Sequence, residues 1–275
     1  MFKPRTQDEQ FLLSTVCIET EHGTATGFFF GCQKGKSDLL ITSRHVVDGA
    51  SYGLLRLHNA FWKDNCHDES PTFEIELNNF ENLWIKHPEE SIDLVALPCK
   101  VIDDAAARIG REAHWMTIES VMVPSAARLV ALSAVEDVLM LGYPNGLWDK
   151  SHNLPIYCRG ITASHPEIDF CEKPEILIDI ACLPGSTGSP VFVLNAKGHT
   201  DDRGNVRCGE PQNLLLGVVH GSATIGSGGQ IAAPPTSMAI RSREDYAIHL
   251  TYVIKSQELL RFAEVIPQRC QVATT

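Results

Sequence analysis

A chain of 275 residues, 44% hydrophobic, 7% aromatic and 21% charged, has the apolar content of a globular protein with room for one large domain or two smaller ones. The 23 Lys and Arg against 34 Asp and Glu leave a net charge of −11, which repels phosphate backbones and anionic bilayers and argues against nucleic-acid or membrane binding. No apolar run reaches about 18 residues, which excludes a spanning helix.

The chain opens Met1-Phe2-Lys3-Pro4-Arg5, but Asp8 and Glu9 follow, and the apolar stretch 11–18 runs into Glu19 without a small-residue cleavage site. That is not a secretory signal. The nine cysteines are an odd number and contain no Cys-x-x-Cys pair, so the expectation is a cytoplasmic protein with reduced thiols. Short runs rich in Val, Ile, Phe and Tyr then predict strands at 12–19, 26–32, 38–42, 52–57, 72–77, 83–86 and 94–97. A second group is predicted at 137–141, 156–161, 176–179, 191–194, 214–220 and 250–254. The spacing is that of an all-β sandwich or barrel.

Helical periodicity is confined to 256–265, where Leu259, Leu260 and Phe262 fall on one face, and more weakly to 103–118. The second of these lies between the two strand groups and reads as a connector. It divides the chain into halves of 1–118 and 119–275, the latter closing on a C-terminal helix. Two polar stretches, 195–212 and 222–237, read as long surface loops.

The segment Pro184-Gly185-Ser186-Thr187-Gly188-Ser189-Pro190 places a hydroxyl between glycines, just before an apolar strand. Such glycines permit a tight turn whose successive N–H groups converge on one pocket, the requirement for an oxyanion hole. Taken alone, such a segment is more often a Gly/Ser turn between strands. Two further segments add to it: Thr42-Ser43-Arg44-His45-Val46 sets a histidine after an apolar strand, and Asp93-Leu94-Val95-Ala96-Leu97 sets an aspartate at the head of another. Acid, base and hydroxyl at separate strand ends are what nucleophilic acyl transfer needs.

In these blocks, and in their order His45, Asp93, Thr187, the chain resembles the trypsin/chymotrypsin-like serine peptidases, most closely the bacterial trypsin-like peptidase-domain proteins. Gly23-Thr24-Ala25-Thr26-Gly27 and Leu141-Gly142-Tyr143-Pro144 support the match, which spans about residues 10–265. The resemblance implies a chymotrypsin-like fold of two antiparallel six-stranded β-barrels with the site in the cleft between them. It implies His45 as general base, Asp93 as its orienting acid and Thr187 as the acyl-accepting hydroxyl. The N–H groups of Gly185 and Thr187 would form the oxyanion hole, and peptide or protein would be the substrate, with no metal or organic cofactor.

Thr187 stands where the family has serine. Threonine keeps the hydroxyl but adds a methyl and restricts χ1. Three explanations stay open: a slow natural variant, a non-catalytic relative that binds peptides, or a serine replaced to trap an inactive enzyme. Ala181 falls at the floor of the family's specificity pocket, where the lack of a carboxylate argues against strict Lys or Arg preference. Val219, His220 and Gly221 match the strand that lines the pocket and pairs with bound peptide. His220 is read either as a contact for a polar or acidic substrate side chain or as a structural histidine. Ser186 replaces the carboxylate that would hold a newly cut N-terminus, and no Ile-Val-Gly-Gly start is present, so no activation by cleavage is expected. Two other motifs are rejected. Gly31-Cys32-Gln33-Lys34-Gly35-Lys36-Ser37 lacks the spacing of a phosphate loop, and Cys66-His67 lacks that of a metal site.

Overall fold

Strand pairing in a computed structural model, which describes residues 4–32, 38–60, 70–194, 199–200, 206–207, 213–225, 231–232 and 246–266, divides the chain into two main sheets. The first comprises β1 (Thr15–Thr20), β2 (Gly23–Gly31), β3 (Asp38–Ser43), β4 (Tyr52–Asn59), β5 (Thr72–Asn78), β6 (Ile85–Lys86) and β7 (Leu94–Pro98), in the order β5-β4-β1-β2-β3-β7-β6. Two short strands join it: β8 (Ala113–His114) pairs with β4, and β9 (Ile118–Glu119) runs parallel to β2.

The second half supplies β10 (Asp137–Gly142), β11 (Ile156–Thr162), β12 (Glu175–Asp179) and β13 (Pro190–Val193). A small hairpin of β14 (His199–Thr200) and β15 (Val206–Arg207) follows, then β16 (Leu214–Ile225), β17 (Ile231–Ala232) and β18 (Tyr246–Lys255). The sheet order is β13-β10-β11-β12-β18-β16-β17, and an added β13–β16 pairing closes six of these strands into a barrel. The all-β expectation holds. The first sheet has nine strands, one of them parallel, and among the described residues no pairing joins β5 to β6.

Alternation along the central strands sorts their side chains into separate cores. Phe28 and Phe30 of β2 enter a cluster shared by both sheets, with Leu141, Phe192, Leu215 and Phe262, whereas Phe29 enters the core of the first sheet. Strands β3 and β7 divide in the same way, Leu39, Ile41, Leu94 and Ala96 to the shared cluster and Leu40, Val95 and Leu97 to the other. Across the boundary, Phe192 and Ile254 meet the shared cluster while Val191, Val193 and Val253 fill the barrel. Strands buried on both faces read as continuous apolar runs, which is why they were detectable without alternating polarity. The rings of Phe11 and Phe192 stack at 4.0 Å across the two halves. Each large side chain fully buried there contributes about 1.5–3 kcal/mol.

The helices depart from expectation. The segment 256–265 forms two one-turn helices, Gln257–Leu260 and Phe262–Val265, which meet at Arg261. This turn pair still buries Leu259 and Phe262, so the apolar spacing does not distinguish it from one longer helix. The connector helix lies at Cys99–Arg108, where Cys99, Ile102 and Ala106 form its buried face. It stops before Gly110 (φ 69°), and the chain beyond enters β8 and β9. Of the two expected loops, 222–225 continues β16, and 195–212 contains β14 and β15. The second stretch, 222–237, also contains β17, and the remainder of both, like Gln33–Ser37 of the rejected loop and Cys66-His67, lies outside the described residues.

No disulfide joins the described cysteines; Cys66, Cys208 and Cys270 lie outside them. Burial, reinforced by Glu19, pushes the Cys17 thiol up to about 12, so it behaves as a core residue and not as a nucleophile. Among the described residues no helix is long and apolar enough to cross a membrane.

His58, on β4, is a built-in acid sensitivity. Burial, with His114 beside it, pushes its imidazole down to about 4. In the unfolded chain the same group takes up a proton near pH 6.5, so its contribution to stability is fully present above that value and is lost as pH falls toward 4. On the order of 3 kcal/mol is at stake. Urea unfolding at about pH 7 and about pH 4.5 is expected to show a smaller acid-induced loss for His58→Gln than for the parent chain. Equal losses would remove His58 from this role.

Candidate active site

Register alone brings His45 to Asp93. Strands β3 and β7 are antiparallel with Ser43 opposite Leu94, so the residue just after β3 lies beside the one just before β7. The Arg44 N–H accordingly donates to the Asp93 carbonyl at 3.1 Å. The chain then turns into the short helix Arg44–Val47, which carries His45 on its second position. The Asp93 side chain is 2% exposed and fully engaged. Its Oδ1 accepts the His45 backbone N–H at 3.0 Å, and its Oδ2 lies 2.5 Å from His45 Nδ1. A buried carboxylate is costly unless donors surround it, and here the residues that surround it also aim it. With Nδ1 turned to Asp93, Nε2 is the ring nitrogen left to act elsewhere.

The Thr187 loop is held from both halves of the protein. Thr26, fully buried on β2, donates its Oγ1 hydrogen to the Gly185 carbonyl at 2.7 Å and its backbone N–H to the Thr187 carbonyl at 2.9 Å. Its own Oγ1 accepts the Tyr143 N–H at 3.2 Å. On the other side the Gly188 N–H donates to the Val219 carbonyl at 2.9 Å. Gly185 (φ 92°) and Gly188 (φ 85°) take left-handed backbone, and a Cβ on Gly188 would stand 2.1 Å from the Thr26 carbonyl oxygen. The N–H groups of Ser186, Gly188 and Ser189 are consumed by carbonyls of Leu183, Val219 and Ser186. Those of Gly185 and Thr187 have no such partner among the described residues. Thr187 is half-buried.

Ala181 is half-buried just beyond β12. Val219 is fully buried and serves through its backbone, since its carbonyl also accepts the Ser43 hydroxyl at 3.3 Å and its N–H donates to Ser189. Gly221 pairs with Tyr252 on β18. His220 turns inward, with Nε2 3.3 Å from Asp93 Oδ2 and Nδ1 3.5 Å from Glu175 Oε1. Sequence reasoning missed two contributors. Thr26 was visible only as one residue of a Gly-rich strand, and Glu175 carries no local signal.

No protein-family model and no curated protein sequence matches the chain. Solved structures do. A serine endoprotease from Yersinia pestis superposes with a TM-score of 0.50 at 11% identity, covering 96% of this chain and 67% of that one. The chain has the trypsin-like serine peptidase fold. Two further proteases with this fold are similar at lower scores. The MamO protease domain of Magnetospirillum magneticum gives 0.47 at 11% identity, covering 92% and 97% of the two chains. An inactive form of Rv3671c from M. tuberculosis H37Rv gives 0.45 at 15% identity, covering 96% and 91%. Within the trypsin-like fold the His45–Asp93 pair comes from the first sheet and the Thr187 loop from the second, and Thr26 of the first sheet bonds directly to that loop.

Proposed function

We propose that the chain hydrolyses peptide bonds as a serine-type endopeptidase of the cytoplasm, with residues 1–118 supplying base and acid and 119–275 supplying the hydroxyl. The observation that carries this is the buried Asp93 Oδ2 contact to His45 Nδ1 at 2.5 Å, with the carboxylate fixed from behind by a backbone N–H. Asp93 holds the proton on Nδ1, which leaves Nε2 as the base for Thr187 Oγ1. The threonine oxygen then bonds the scissile carbonyl carbon, and the developing oxyanion accepts the N–H groups of Gly185 and Thr187. Protonation by His45 releases the amine, and water attacks the acyl-enzyme by the same route. Ala181 at the pocket floor carries no charge to select Lys or Arg, and His220 lies within reach of Asp93.

A second reading, peptide binding without hydrolysis, is favoured by one feature, the threonine that stands where related peptidases carry serine. A labelled peptide library run on the parent chain, Thr187→Ser and His45→Ala separates them. Cleavage that rises with Thr187→Ser and vanishes with His45→Ala supports acyl transfer; no cleavage by any of the three leaves peptide binding. Gly185→Ala is a further check. Its new Cβ would stand 2.3 Å from the Tyr143 carbonyl oxygen on left-handed backbone, so the Gly185 N–H must move. Turnover is expected to fall by about 100-fold or more with KM little changed. An unaffected kcat would place the oxyanion elsewhere.

A further inference from the structure

His220 is the extra residue of a β-bulge. Val219 pairs with Val253 and Gly221 with Tyr252, so the strand gains one residue here and the imidazole is re-aimed into the protein. The side chain is 8% exposed, and neither ring nitrogen makes a hydrogen bond among the described residues. Each nevertheless faces a carboxylate oxygen, Asp93 Oδ2 at 3.3 Å and Glu175 Oε1 at 3.5 Å. A buried imidazole left without an aligned partner is costly, which makes this position anomalous unless something else binds it. His45, Asp93 and His220 each offer one ligand atom, and these three atoms all lie within 4.8 Å of one another, with His45 Nδ1 and His220 Nε2 both close to Asp93 Oδ2.

We propose that these three atoms form an inhibitory zinc site. The proposal shares the His45–Asp93 pair with the acyl-transfer reading but needs no hydrolysis. Two imidazole nitrogens and one carboxylate oxygen are a donor set suited to Zn2+, whereas Mg2+ and Ca2+ prefer oxygen alone. Ligand atoms placed tetrahedrally around zinc at about 2.0–2.1 Å stand about 3.4 Å apart. The Asp93–His220 separation of 3.3 Å already meets this, and the His45–Asp93 contact of 2.5 Å must open. Asp93 stays oriented through Oδ1, held by the His45 backbone N–H. Glu175 supplies the outer support: once Nε2 binds metal, the Nδ1–H of His220 points at the Glu175 carboxylate. Arg44 Nε, 4.0 Å from Asp93 Oδ1, opposes the cation, and the two carboxylates outweigh it.

Zinc on His45 Nδ1 shifts the ring proton to Nε2, so the base that acyl transfer requires is lost while the metal is bound. No sequence spacing announces this set, because its members come from three separated segments.

The test is calorimetric titration of Zn2+ into the metal-free full chain, with circular dichroism confirming the fold of every variant. The expected result is one Zn2+ per chain, bound at least 100-fold more weakly by His220→Ala, about 10–100-fold more weakly by Glu175→Gln, and unchanged by Thr187→Ala. If His220→Ala does not fold, His220→Asn replaces it. Co2+ in place of Zn2+ is expected to show d–d absorption without a thiolate charge-transfer band, which separates this site from the nine cysteines. No binding by the folded parent chain, equal affinity in the folded His220 variant, or a thiolate band overturns the proposal. A chain that binds zinc but, when metal-free, cleaves nothing contradicts only the acyl-transfer reading, and one that cleaves peptides but binds no zinc contradicts only this one.

Discussion

Asp93→Asn is expected to lower kcat for peptide hydrolysis by about ten-thousand-fold while leaving KM and the fold nearly unchanged. The side-chain oxygen that accepts the His45 backbone N–H at 3.0 Å survives in asparagine, so the local chain path is kept. The other oxygen, 2.5 Å from Nδ1, becomes an NH2 donor. Two donors cannot face each other, so the ring must present Nδ1 without its proton and carry that proton on Nε2. Nε2 then has no lone pair for the Thr187 hydroxyl. The substitution also removes the negative charge that stabilises the imidazolium formed during attack. At 2% exposure, water has no access to replace either effect. Steady-state kinetics on the parent chain and on Thr187→Ser measure the loss in both backgrounds. A fall of less than about tenfold would make Asp93 a structural anchor of the β3–β7 corner only.

Thr187→Ser is expected to raise kcat/KM by about 100-fold, the scale at which a misplacement of about 1 Å acts on a reacting atom. The size of the effect follows from how firmly the loop is held. Thr26 grips the carbonyls of both Gly185 and Thr187, and the Val219 carbonyl grips the Gly188 N–H. Backbone pinned on both sides cannot retreat to make room for the extra methyl, so the hydroxyl must share its space with it. The β-branched side chain also has fewer χ1 states in which Oγ1 faces His45. Serine removes both constraints without altering the loop's hydrogen bonds. Comparing the two chains on one peptide at matched concentration reads the ratio directly. Equal, measurable rates would mean that threonine is already well placed.

The residues proposed to do chemistry were legible because their types are conspicuous where they stand. A histidine and an aspartate at apolar strand ends have few structural reasons to be there, and the β3–β7 register, with Ser43 opposite Leu94, then brings them into contact. The glycines around Thr187 marked a backbone that only glycine takes without strain, as φ values of 92° and 85° show. The direction of His220 was not legible. A bulge shifts register by one residue without altering the alternation of its neighbours, so nothing in Val218-Val219-His220-Gly221 reveals that the imidazole turns to Asp93. Glu175 reads as an ordinary carboxylate at the start of a strand, and only the side-by-side placement of β12, β18 and β16 brings it near His220. The paired turns at 257–265 share their apolar spacing with one helix, so periodicity could not separate them.

Labelling by a fluorophosphonate probe, followed by mass spectrometry of the adduct, tests most directly whether position 187 is a nucleophile activated by His45. The expected result is one adduct per chain, on the hydroxyl at position 187 of the Thr187→Ser variant, abolished when His45→Ala is added, with little or no adduct on the parent chain. A folded Thr187→Ser protein that takes no label, or that takes it equally with and without His45, would contradict the catalytic assignment.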